Sequence, residues 1–166
     1  MTIIHTKNSK FSLRMANPED AERVVSFMKR LGDFQKMSDD ITATPERIER
    51  LLLSKQGEAV FGIYDGKMVG FAYFHEKSSA FTGRSGLFVD GFFIDESMRG
   101  KGLGNIMMQF LSKTALDRGC EMLEWGCLDW NISAIEFYNK LGAYCIDTMH
   151  IYRLSPDDLK VTAAQF

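Results

Sequence analysis

The 166-residue chain holds three cysteines, three prolines and three histidines, and each scarcity excludes something. Cys120, Cys127 and Cys145 are odd in number and lack CxxC spacing, which argues against a disulfide framework or a zinc site and reads as buried thiols. His5, His75 and His150 are scattered with no pair at metal-ligand spacing, so no metal is expected. With so little proline, and no repeat or low-complexity tract, no linker divides the sequence. No apolar run approaches the length of a bilayer span, and MTIIHTKNSK lacks the apolar region of a signal peptide, so a cytoplasmic protein is expected. Twenty Lys and Arg against 22 Asp and Glu leave a net charge of −2, too little to draw the whole chain to nucleic acid or an anionic membrane.

What is present is ordinary globular material, 45% hydrophobic and 25% charged. A domain of this length buries roughly 70% of the surface its unfolded chain exposes, so one core is expected. Residues 1–10 read as a flexible arm, and residues 11–166 as a single domain. Phe11, Leu13 and Met15 alternate as in a strand. Asn17 and Pro18 open a helix with Val24, Val25, Met28 and Leu31 on its apolar stripe and Gly32 at its end. After the loop DFQKMSDDITA, Thr44 and Pro45 open a second helix. Ala59 to Tyr64 and Met68 to Phe74 read as strands joined at Asp65-Gly66, and Leu87 to Ile94 as a central strand. A helix through Leu103, Ile106, Met107, Phe110 and Leu111 closes at Arg118-Gly119. A strand then runs through Met122, Leu123, Trp125 and Cys127-Leu128. Asn131 or Ser133 caps a short helix ended by Gly142, and Tyr144–Ile146 and Ile151–Leu154 are the last strand candidates. The layout predicts an α/β fold, one mixed sheet with helices on its faces.

DESMRGKGLGNIMM, residues 95–108, sets Gly100, Gly102 and Gly104 at alternate positions where a strand gives way to a helix. Backbone N–H groups at a helix N-terminus make an anion site, and residues without Cβ let a pyrophosphate approach. A glycine-rich turn with no ligand explains the same residues. GxGxxG and GxxxxGK[ST] are both absent, which removes a P-loop.

The pattern that does occur is RxxGxG, as Arg99, Gly102 and Gly104, and WNISAIEFYNKLGA follows about 30 residues later. Together they resemble the GCN5-related N-acetyltransferases (GNAT). LGDFQKMSDDITATPERI, LFVDGFFIDESMRGKGLG and LEWGCLDWNISAIEFYNKLGA resemble the diamine (spermidine/spermine) N-acetyltransferase-like branch. The resemblance implies a mostly antiparallel twisted sheet flanked by helices, and acetyl transfer from acetyl-CoA to a primary amine by direct attack through a tetrahedral intermediate. It implies a homodimer with the C-terminal strands and tail in contact. It also places the cofactor against Phe92, Phe93 and Ile94, the loop Arg99, Gly100, Lys101, Gly102, Leu103, Gly104 and Asn105, and Asn131 and Tyr138. Two departures from the branch bear on the acceptor, because Gly91 stands where an acid of a Glu-Asp pair belongs and Gln35 where polyamine-binding members carry Glu.

A primary amine with a pKa near about 10.4 is almost wholly protonated at pH 7 and cannot attack. Asp90, the one carboxylate within an apolar strand, is the candidate base or anchor for the amine. An Asp paired with a neighbouring lysine, or capping a bulge near Gly91, is the alternative. Tyr138 stands at the family's position for protonating the departing thiolate, though a tyrosine that merely packs is the alternative. Asn131 either bonds the pantetheine amides or only caps its helix. Phe34, Gln35, Asp90, Glu124, Trp125 and Asp147 are the candidate acceptor-binding residues, with Asp33, Asp39 and Asp40 as further carboxylates. Acetylation of a protein amine, or acetyl-CoA binding without catalysis, are the rival functions.

Overall fold

In the computed structural model, described for residues 2–166, the chain forms two compact units, residues 1–126 and 127–166. The first carries one six-stranded sheet in the order β1 (Ile3–His5), β2 (Phe11–Met15), β3 (Glu58–Tyr64), β4 (Lys67–Ser78), β5 (Ser85–Ile94) and β6 (Met122–Trp125). Neighbouring strands are antiparallel except for β5 and β6, which run parallel. A parallel pair needs a crossover, and α3 (Leu103–Asp117) supplies it. The sheet is therefore the mixed, mostly antiparallel one that the sequence predicts. Part of the stretch read as a flexible arm is edge strand β1, with Ile4 opposite Leu13.

Strand alternation sends Phe61, Phe71, Tyr73 and Phe93 to one face, where they pack with Val24, Val25 and Phe27 of α1 (Ala21–Gln35) and Ile48 and Leu52 of α2 (Pro45–Leu53). The Phe27 and Phe71 rings stack at 5.4 Å. On the other face Gly62 and Gly70 admit α3, since a Cβ on either would lie within 3.2 Å of Met107 Sδ.

Arg14 of β2 donates twice to Asp20, at 2.6 and 3.0 Å, in the short turn leading into α1, and Asp20 is 1% exposed. The Asn17 amide and Arg23 complete its partners. The Arg14 bonds, aided by Asn17 and Arg23 and opposed by burial, hold the Asp20 carboxyl down at about 2.

α1 does not stop at Gly32. It runs to Gln35 and ends on Lys36 in the left-handed region, while Gly32 is buried where a Cβ would lie 2.6 Å from Ile41 Cγ1. The Asp65-Gly66 hairpin has positive φ at both residues, 45° and 80°. β6 ends at Trp125, short of the predicted Cys127-Leu128.

The second unit holds α4 (Ile132–Lys140) and α5 (Pro156–Ala163). The predicted strands at 144–146 and 151–154 do not form, and α5, capped by Ser155 accepting from the Asp158 amide, was not foreseen. Cys127 and Cys145 are exposed, so only Cys120 fits the reading as a buried thiol. Among the described residues no helix is long and apolar enough to cross a membrane, and no group of three or more His, Cys, Asp or Glu can hold a metal ion.

Candidate active site

The β5–β6 ladder ends at Val89 opposite Trp125, whereas β5 continues to Ile94 and then turns into the glycine loop. That continuation, Phe92 to Ile94, is the stretch assigned to the cofactor. Beyond it a short 3-10 turn (Glu96–Met98) leads to Arg99, and Gly100 and Gly102 take φ of 75° and 76°. These values favour glycine. A Cβ at either position would meet no atom within 4 Å, so the space before the loop is open.

Gly102 is the N-cap of α3, and no side chain caps that end or places an acid in its first turn. Leu103 is buried beneath the turn, and Gly104 and Asn105 are the next residues of the helix. A helix of 15 residues whose N-terminus carries positive dipole and no competing carboxylate suits a pyrophosphate, so this chain's residues fit acetyl-CoA. The Arg99 side chain serves the loop itself. Its Nε donates to the Ile94 carbonyl at 3.0 Å and its guanidinium lies 4.2 Å over the Phe34 ring. Lys101 Nζ rests 3.4 Å from Met98 Sδ.

Asp90 is exposed, against the expectation that an apolar strand buries it. The β4–β5 register passes from Tyr73 opposite Gly91 to Phe74 opposite Val89, which makes Asp90 the extra residue of a β-bulge. A period-two reading of the strand cannot contain that residue. Burial, and then Asp90 beside it, raise the Tyr73 phenol above its ordinary range. Gly91 faces α1, where a Cβ would touch Leu31 and Phe71 at 3.4 and 3.5 Å, so an acid there would enter apolar surroundings.

Beyond the buried Tyr73 the same face of β4 carries two half-exposed residues that the sequence reading missed, His75 and Lys77. Tyr73, His75 and Lys77 alternate along β4, and His75 and Lys77 lie 5.6 and 5.5 Å from the Phe88 ring. Lys77 Nζ is 2.5 Å from the buried Glu124 Oε2, an ion pair without the directionality of a good hydrogen bond. Glu124 is thus already neutralised by its own chain. Trp125 ends β6 one residue on, and Phe34 and Gln35 end α1. Asp33, in the last turn of α1, accepts from Ser38 Oγ at 2.6 Å, and it is exposed, as are Asp39 and Asp40 in the loop that follows. A pocket of about 350 Å³ lined by Asn17, Leu52, Phe110 and Arg118 lies towards the C-terminal end of α3, the opposite end from Gly102.

The second unit carries the other motif. Asn131 Oδ1 accepts from the Ala134 amide at 3.3 Å, so the capping role is realised. Tyr138 is half-buried beside Phe137, 5.2 Å between ring centroids, and burial, with Cys127 nearby, raises its phenol well above the ordinary range. Asp147 is exposed in the segment between α4 and α5.

Comparison with known proteins agrees with this geometry. The acetyltransferase (GNAT) family profile matches residues 25–143, and the chain belongs to that family. It is an acetyl-CoA-dependent N-acetyltransferase. It is 30% identical over 116 residues to the L-ornithine N5-acetyltransferase NATA1 of Arabidopsis thaliana, an alignment covering 70% of this chain and 47% of that one. A thialysine N-epsilon-acetyltransferase of Caenorhabditis elegans is 27% identical over 129 residues, covering 78% and 80%. Among solved structures, an integron cassette protein from the mobile metagenome of V. cholerae superposes with a TM-score of 0.74 at 21% identity, over 93% of this chain and 98% of that one.

Proposed function

We propose that the acceptor is the primary amine of a small molecule, a short diamine or a lysine-like amino acid in preference to a long polyamine. One observation carries this reading: Glu124 of β6 is held by Lys77, which leaves Asp90 as the exposed carboxylate of β5. Long polycations need several carboxylates, and each missing or neutralised one weakens their binding. Gly91 and Gln35 remove two more acids relative to the branch. The relatives named for L-ornithine and thialysine support an amino-acid side-chain amine as acceptor.

Acetyl-CoA supplies a thioester-activated acetyl group. Gly100, Gly102, Leu103, Gly104 and Asn105 hold its pyrophosphate on backbone N–H groups at the start of α3, and the backbone of Phe92 to Ile94 aligns the pantetheine arm as an added strand would. Asp90 anchors the ammonium and accepts its proton, directly or through water. The raised phenol of Tyr138 stays protonated at neutral pH, so it retains the proton that the family's motif assigns it to give to the thiolate. Residues 11–166 act as one N-acetyltransferase domain, in a cytoplasmic homodimer that involves the C-terminal segment. That segment exposes Tyr144, Ile151 and Tyr152.

Thiol release measured over L-ornithine, a short diamine, spermidine and spermine tests the acceptor. The highest kcat/KM is expected for the short amines, and a preference for spermine over all of them overturns the assignment. In the same assay Asp90→Asn is expected to lower kcat/KM most at low pH, where unprotonated amine is scarcest. An equal loss at every pH leaves Asp90 as an anchor alone.

A further inference from the structure

Two side chains of α1, one helical turn apart, grip the segment between β5 and the glycines. Arg30 forms an ion pair with Asp95, the first residue after β5, and the Phe34 ring lies beneath the Arg99 guanidinium carbon at 4.2 Å. Between these contacts lies a ladder of rings and guanidinium groups. Arg30 sits 4.8 Å from the Phe27 ring and 5.2 Å from Phe93, and Arg99 sits 5.8 Å from the same Phe93. The segment is otherwise closed upon itself, since the Met98 amide donates to the Asp95 carbonyl, the Arg99 amide to Glu96 and the Arg99 Nε to Ile94. The Asp95 amide fastens its start to Val69 of β4.

We propose that Arg30 is a positioning residue for the pyrophosphate loop, holding Asp95 and the Phe93 face so that Arg99 and the following glycines present their backbone at a fixed height over α3. The inference rests on the phosphate-loop reading above. The Arg30 guanidinium pairs with a carboxylate while lying within 5.2 Å of two ring centroids, a combination that a planar, weakly hydrated cation serves better than an ammonium. Because the loop makes its cradle from backbone rather than side chains, a small tilt at Asp95 shifts every N–H of it together. The pyrophosphate half of the cofactor therefore feels Arg30 more than the pantetheine half, because the Phe92 to Ile94 backbone assigned to the pantetheine arm is fixed by its own pairing with Gly70 to Ala72 of β4, whichever way the Phe93 ring is held.

Titrating CoA and pantetheine separately into wild-type protein and Arg30→Gln tests this. Arg30 is 41% exposed, so the variant is expected to fold, as a thermal melt checks. Arg30→Gln should weaken CoA binding about five- to tenfold while changing pantetheine less than twofold, with Arg30→Lys recovering part of the loss. Asp95→Asn should reproduce the loss, and the double variant should add little to it. Equal weakening of both ligands, no change in CoA binding, or additive losses in the double variant overturn the inference. If wild-type protein binds CoA no more tightly than pantetheine, the phosphate-loop reading itself fails and the role of Arg30 falls with it.

Discussion

At Gly102 a φ of 76° and an empty 4 Å around the missing Cβ combine into a residue whose substitution separates folding from function. Gly102→Val should cost only about 1–2 kcal/mol of stability through backbone strain, while its side chain fills the space assigned to the pyrophosphate. A sharp rise in KM for acetyl-CoA with a smaller change in the amine KM is expected from steady-state kinetics, and normal acetyl-CoA kinetics in a folded variant would remove the loop from the site. Tyr138→Phe keeps the ring beside Phe137 and deletes the proton. A fall in kcat of about 10²-fold or more, with the melting temperature unchanged, is the expected result. An unchanged kcat under rate-limiting chemistry returns Tyr138 to packing. The glycines and the Tyr138 motif were legible because their spacing is local. Arg30 and Asp95 were not, since 65 positions separate them and nothing in the pattern of either marks a partner. Lys77 on Glu124 was hidden in the same way.

Among the elements, the entry to α1 depends on Asp20 more than on the helix's own propensity. Its carboxyl is depressed from 3.8 to about 2 on folding, so its contribution is fully present above about pH 4 and is lost as the pH falls towards 2. The span corresponds to about 2 kcal/mol. Asp20→Asn should flatten that acid limb in denaturant unfolding and, by leaving Arg14 buried without its partner, cost about 3 kcal/mol at pH 7. Retention of the acid limb in the variant would assign it to other groups. Helix starts, hairpin and central strand were readable because caps, Asp-Gly and apolar runs act locally. The bulge at Asp90, one of the alternatives open in the sequence, could not be singled out there, because an extra residue leaves the apolar pattern intact on both sides. The strands expected at 144–146 and 151–154 failed for a related reason: apolar β-formers make a strand only when another strand supplies hydrogen bonds, and sequence does not supply the partner.

For the whole molecule the fold class followed from the order of elements, since a parallel β5–β6 pair with α3 between them is what the strand-helix-strand run demands. Assembly is a separate matter. A homodimer should sediment as twice the 18.9 kDa chain at micromolar concentration, and a monomer there contradicts the proposed assembly. Catalysis is tested most directly by following thiol release from acetyl-CoA with a panel of free amines and an amine-bearing peptide. Release that requires both acetyl-CoA and a small primary amine, with the acetyl group recovered on its nitrogen, is the predicted result. Saturable acetyl-CoA binding with no turnover on any amine or peptide would contradict it and leave a protein that binds the cofactor without using it.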